Sequence, residues 1–141
     1  MCPDLIRAKQ ILQTEGCTCV LCSDNTIYRS SIRGVKPLLE LIETDTDTTG
    51  FSAADKVVGK AAAMLYCHLR VRQVYAPVMS KEAIKVLTDH GIEVFYDRLT
   101  DVIMNRAMRG MCPMELAVQT TDDPNKALSA VRDTLDRLQR E

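Results

Sequence analysis

The stretch from 71 to 97 constrains the fold most. Residues 71–79 read as a strand with Val74, Tyr75 and Ala76 as its buried middle, and residues 92–97 alternate apolar and polar side chains as a second strand. Between them, Ser80 is placed to cap a helix over 81–90, Ala83, Ile84 and Leu87 form its apolar face, and Gly91 closes it. A strand, a short helix and a strand in this order make a right-handed parallel βαβ unit. Parallel strands are buried on both faces, so this unit predicts an α/β fold with helices on both sides of its sheet. Pro77 predicts the end of the first strand, because proline has no N–H for a central ladder.

The rest of the chain supplies the other layers. Residues 3–15 read as a helix opened by Pro3, with Leu5, Ala8, Ile11 and Leu12 grouped and Gly16 beyond its end. Residues 17–22 are almost free of charge and suit a buried strand, and Asp24 with Asn25 suits a tight turn into an antiparallel partner over 26–30. Pro37 opens a short helix, and the threonine-rich segment 43–50 has loop chemistry. Residues 51–54 predict a short strand. Asp55 is placed as the N-cap of a buried helix over 56–69, where Val57, Ala61, Leu65 and His68 share a face. Helices from Pro113 and from Asp123 and Pro124 follow, the last with Leu128, Val131, Leu135 and Leu138 in one stripe. The expected architecture is a single domain over 1–141, a three-layer α/β/α sandwich with a mixed sheet of about four or five strands. Its core is expected over residues 10–120 and its C-terminal amphipathic helix over 124–140.

Eighteen Lys and Arg against nineteen Asp and Glu leave a formal net charge of −1, which argues against the basic footprint that holds a nucleic-acid backbone. Apolar runs fall well short of the roughly 20 residues that span a bilayer, so no membrane partner is expected. The opening MCPDLIRAKQ carries Asp4 and lacks a signal-peptide core, so a cytoplasmic setting with reduced thiols is expected. The six cysteines then read first as small buried side chains. Cys19 and Cys22 are spaced C-x-x-C, but on a strand they point to opposite faces, and no second pair accompanies them. Neither a zinc site nor a dithiol centre is expected, and no cofactor is predicted.

Cys112 stands apart from the other thiols. It precedes Pro113 at the N-cap of a helix, where the dipole favours thiolate, with Arg106 and Arg109 just upstream. A nucleophile also needs a base, and His68 and His90 fall on an apolar helix face and at a helix C-terminus. A second constellation runs from Ala54 to Lys60, where a strand feeds a helix N-terminus, a ready anion site. Lys56 and Lys60 are predicted one turn apart on one face, with Gly59 allowing close approach. The segment is not a P-loop, since Ala61 follows Lys60 and Ala54 replaces the first glycine. An Asp-capped helix with solvated lysines is the simpler reading of the same residues. Arg33, Gly34 and Lys36 form a similar loop before a helix, and Asn105 and Arg106 lie near another predicted strand end. Together these loops predict a convergent polar pocket.

Four ordered motifs then carry a resemblance: Arg-Gly-Val-Lys-Pro-Leu-Leu at 33–39, Ala-Asp-Lys-Val-Val-Gly-Lys-Ala-Ala-Ala at 54–63, Val-Tyr-Ala at 74–76 and Gly-Met-Cys-Pro-Met-Glu at 110–115. They resemble a small uncharacterised bacterial family known as domain of unknown function eighteen ninety-three, over residues 10–130. The resemblance implies a cytidine deaminase-like fold, whose helix starts near Asp55 and Ser80 face the place where zinc deaminases hold their metal. Those enzymes need H-x-E at one helix start and P-C-x-x-C at the next. Here the corresponding stretches are Ala54-Asp55-Lys56 and Met79-Ser80-Lys81-Glu82, with no histidine or cysteine. Deamination through zinc hydroxide is therefore not expected, and a lysine stands where it could hold an anionic group as a point charge.

The leading expectation is a zinc-free deaminase-like domain that binds a small anionic ligand, such as a nucleotide or its derivative. Asp55, Lys56, Gly59 and Lys60 would form the floor, Arg33, Gly34 and Lys36 a wall, and Asn105, Arg106, Cys112 and Glu115 a cover. One alternative is a small-metabolite enzyme with Asp55 and Lys56 as an acid/base pair or Cys112 as nucleophile. Another is a non-catalytic regulatory module that forms homo-oligomers.

Overall fold

Two consecutive crossovers organise the molecule. The computed structural model describes residues 1–104 and 110–140. In chain order the elements are α1 (Pro3–Thr14), β1 (Cys19–Ser23), β2 (Thr26–Ser30), α2 (Lys36–Glu43), β3 (Ser52–Asp55), β4 (Val57–Val58), α3 (Lys60–Leu69), β5 (Gln73–Ser80), α4 (Lys81–Asp89), β6 (Glu93–Thr100), α5 (Pro113–Val118) and α6 (Pro124–Arg140). All six strands join one mixed sheet. β1 pairs antiparallel with β2 and β3, while β5 is parallel to β3, β4 and β6. The chain thus steps from β3 through α3 to β5, and from β5 through α4 to β6, in one direction across the sheet. Right-handed crossovers put both helices on the same face.

The two faces have separate cores. On one, Leu5, Ala8 and Leu12 of α1 pack on Val20, Cys22, Ala54 and Tyr75. On the other, Leu21, Ala53 and Val74 meet Leu38, Met64, Leu65, Leu87 and Val131 from α2, α3, α4 and α6. The result is the expected three-layer α/β/α sandwich. The alternation of β1 sends Cys19 and Cys22 to opposite cores, as the strand reading requires. Ser80 caps α4, its Oγ accepting the Ala83 N–H at 3.1 Å. No described helix is long and apolar enough to cross a membrane.

Two expectations about the centre of the sheet are corrected. β5 does not end at Pro77. It pairs through Tyr75 with Ala54 and resumes at Val78 with Val57, and on its other edge it pairs through Ala76 with Tyr96 and resumes at Val78 with Arg98. Proline removes its own ladder bond, but pairing beyond it on both edges keeps the strand in register. The gap opposite Pro77 divides one neighbouring strand into β3 and β4. Lys56 sits in that gap, and its N–H turns to the Thr18 carbonyl at 3.1 Å. Second, Asp55 is not a helix cap. Val57 and Val58, both β-branched and suited to a pleated surface, continue the sheet, so α3 starts at Lys60 with Gly59 as its N-cap.

Candidate functional site

The carboxyl ends of parallel strands are where open α/β sheets present their loops to ligands. Here a cavity of about 420 Å³ lies at that edge. Asp55, Lys56, Val57 and Gly59 reach it from the end of β3 onward, and Ile103 and Met104 from beyond β6. Thr18 enters just before β1, and Arg33, Gly34 and Val35 follow β2. Ala61 and Ala62 of α3, with Cys112, Met114 and Glu115 at α5, close the remaining side. Most of these side chains are apolar. The backbone joins the α5 side to the end of the sheet: Cys112 donates its N–H to the Ile103 carbonyl at 2.8 Å, and Met104 bridges Met111.

Asp55 is half-buried at the end of β3. The hydroxyl of Tyr66, fully buried in the middle of α3, donates to its Oδ2 at 2.7 Å. Cys19 Sγ lies 3.4 Å from the same hydroxyl. The three groups form a hydrogen-bonded row from β1 through α3 to the cavity. Burial pushes the Asp55 carboxyl up to about 7, and the Tyr66 hydroxyl and the N–H groups of Val57 and Lys56 oppose that rise. Burial, reinforced by the charge of Asp55, holds the Tyr66 phenol well above its ordinary value and pushes the Cys19 thiol up. Asp55 is therefore a carboxyl raised toward neutrality at the end of a row whose other two members, Tyr66 and Cys19, are held protonated.

Glu115 faces the same cavity with a different task. Its Oε1 accepts the Lys60 N–H and its Oε2 the Ala61 N–H, both at 2.7 Å. A carboxylate from another helix thus satisfies the first donors of α3 and meets the positive end of its dipole. Gly59 makes room for it: a Cβ there would lie 1.9 Å from Glu115 Oε1 and 2.7 Å from Ile103 Cγ1. Burial raises the Glu115 carboxyl above its usual range, although both N–H groups pull it down.

Of the candidates from sequence, Arg33, Gly34, Asp55, Lys56, Gly59, Cys112 and Glu115 line this cavity. Arg33 and Lys56 are exposed, and no ion pair between described residues involves either. Two candidates lie elsewhere. Lys60 is buried, with Nζ 3.2 Å from Asp122 and 3.3 Å from the Gln119 carbonyl, because the helix that starts at this residue turns its side chain toward α5 and the following loop. Lys36 is the first residue of α2, half-buried and outside the lining. Asn105 and Arg106 lie outside the described residues. Ser80 adjoins a hollow of about 30 Å³ beside the cavity, which Glu115 also lines. Cys112 is the N-cap residue of α5, but its side chain makes no capping hydrogen bond. His68 and His90 are engaged with the carbonyls of Pro124 and Val86 at 2.7 and 2.8 Å. Among the described residues no three His, Cys, Asp or Glu side chains group as metal ligands. Sequence reasoning missed Tyr66, although a tyrosine in an alanine-rich buried helix signals a hydroxyl in need of a partner.

The comparisons with known proteins agree with this architecture. The family model described as TM1506, a domain of unknown function (DUF1893), matches residues 7–135. A crystal structure of a DUF1893 family protein, TM1506 from Thermotoga maritima, is similar with a TM-score of 0.83 at 29% sequence identity, over 97% of this chain and 92% of that one. No curated protein matches.

Proposed function

The chain belongs to the DUF1893 family, and on that premise we propose that its strand-end cavity binds a small anionic ligand, a nucleotide or a derivative of one. The observation that carries this reading is the layout of charge in one cavity. Its walls are mostly apolar, while Arg33 and Lys56 are exposed along its lining. About 420 Å³ falls within the size of small-molecule sites, which pair apolar walls with a few placed polar groups. The walls suit a ring or a short carbon skeleton, and the two cations suit a phosphate or carboxylate. The cytidine deaminase-like arrangement that the family resemblance implies points to the same strand ends, without the metal chemistry. A thermal-shift screen of nucleotides against the wild type, Lys56→Ala and Arg33→Ala tests the reading. A phosphate-bearing compound should raise the wild-type melting temperature and lose most of that effect in both variants. Stabilisation that neither variant weakens would refute it.

A second reading is favoured by the Asp55 carboxyl, which burial brings to about 7. A group that titrates near the working pH is matched to general acid/base catalysis, and Asp55 would serve that role on a small metabolite, with Lys56 beside it. A turnover whose pH profile bends near that value, and which Asp55→Asn abolishes, would support this role.

A further inference from the structure

We infer that the ligand of this cavity is dipolar, with an anionic group set against Arg33 and Lys56 and a protonated nitrogen set against the Asp55 carboxyl. The inference rests on the cavity being a ligand site and adds the ligand's second charge. Two carboxyls line the cavity, but they are not equally available. Both oxygens of Glu115 are committed to the N–H groups of Lys60 and Ala61. Asp55 accepts from the neutral hydroxyl of Tyr66 and is helped by the N–H groups of Val57 and Lys56, and none of these partners carries a charge on the donating group. No ion pair between described residues joins Asp55 to Arg33 or Lys56, although all three line the same space.

A carboxylate in a mostly apolar wall, with no ion pair among the described residues, is poorly stabilised because burial removes water. A protonated amine or amidine on the ligand would supply the missing charge, with the Tyr66 hydroxyl already aimed at the ionised form. Binding then also removes a proton from the molecules in which Asp55 holds one. The other titratable groups facing Asp55 are Tyr66 on α3, Cys19 on β1, Lys56 and Arg33 on the lining loops, and Cys112 and Glu115 across the cavity. Tyr66 and Cys19 keep their protons at neutral pH, so the proton released comes from Asp55.

Calorimetric titration of the full chain with n-alkyl phosphates and ω-aminoalkyl phosphates of matched length tests the inference. The amino-terminated member should bind the wild type about tenfold more tightly and release protons near neutral pH, read as a buffer-dependent heat. Asp55→Asn should abolish the preference, whereas Tyr66→Phe, which keeps the carboxyl, should retain it. Equal affinity of the two probes, or a preference that survives Asp55→Asn, overturns the dipolar ligand while leaving the anion site intact. If both probes bind wild type and Lys56→Ala equally, the anion site itself fails, and the dipolar ligand fails with it.

Discussion

Asp55, half-buried, and Glu115, buried, are carboxyls on opposite sides of one cavity, and the fold uses them in opposite ways. Glu115 reaches from α5 to the start of α3 and spends both oxygens on backbone donors. Asp55 ends a strand, accepts from a neutral tyrosine, and lines the cavity without a cationic partner among the described residues. Both are raised by burial. A raised carboxyl is therefore not by itself the mark of a site; what separates the two is that Glu115 meets the N-terminus of a helix, whereas Asp55 meets a tyrosine hydroxyl and the N–H groups of its own strand end. Glu115 ties α5 to the start of α3, and in the proposed reading Asp55 is the carboxyl that meets the ligand.

The largest expected effect falls on the structural carboxyl. Glu115→Ala leaves two buried N–H groups without an acceptor and should lower the unfolding free energy by about 4 kcal/mol in urea titration. Glu115→Gln, which keeps one acceptor, should lose about half of that. A loss below about 1 kcal/mol would mean that water replaces the cap, and the contrast with Asp55 would weaken.

Asp55 should act through pH. Its proton is held up to about 7 in the folded chain but only to the ordinary 3.8 in the unfolded one. Between those values the folded state binds more protons. Its contribution is therefore full at low pH and is lost as pH rises through about 7. Asp55→Asn removes this loss, so relative to wild type the variant should gain about 3–4 kcal/mol between roughly pH 4 and pH 8. Denaturation curves that shift in parallel at all pH values would contradict it.

Gly59→Ala places a Cβ against Glu115 and Ile103 and should destabilise by about 2 kcal/mol. Most of that penalty should vanish on a Glu115→Ala background, since the cap it displaces is then already gone. Tyr66→Phe is the smallest, about 1 kcal/mol, and should move the Asp55 midpoint further up because the hydroxyl favours the ionised form.

Much of the frame was legible because it rests on local chemistry. Ser80 before an amphipathic run, Pro3 at a helix start and the alternation around Val74 each define their element within a few residues. The cavity was legible as a convergence of loops, and Arg33, Asp55, Lys56, Cys112 and Glu115, singled out in the sequence, line it. What failed depended on distant residues or on competition between local signals. Asp55 before Lys56 has the form of a helix cap, but Val57 and Val58 prefer the sheet and delay α3 to Lys60. That delay turns Lys60 away from the cavity and ends its pairing with Lys56. The true cap, Glu115, is far along the chain, so no local pattern announces it. Pro77 gave a sound rule the wrong consequence: it interrupts the ladder without ending the strand, and the interruption leaves Lys56 exposed beside Asp55.

The most direct test is a carboxyl-detected NMR titration that follows Asp55 and Glu115 in the same sample, alone and with an ω-aminoalkyl phosphate. The account predicts a midpoint for Asp55 near 7 in the free protein, lowered by the probe, while the Glu115 resonance stays where its two N–H partners hold it. An Asp55 midpoint near 3.8, or a probe that shifts Glu115 and leaves Asp55 unmoved, would contradict the division between the two carboxyls.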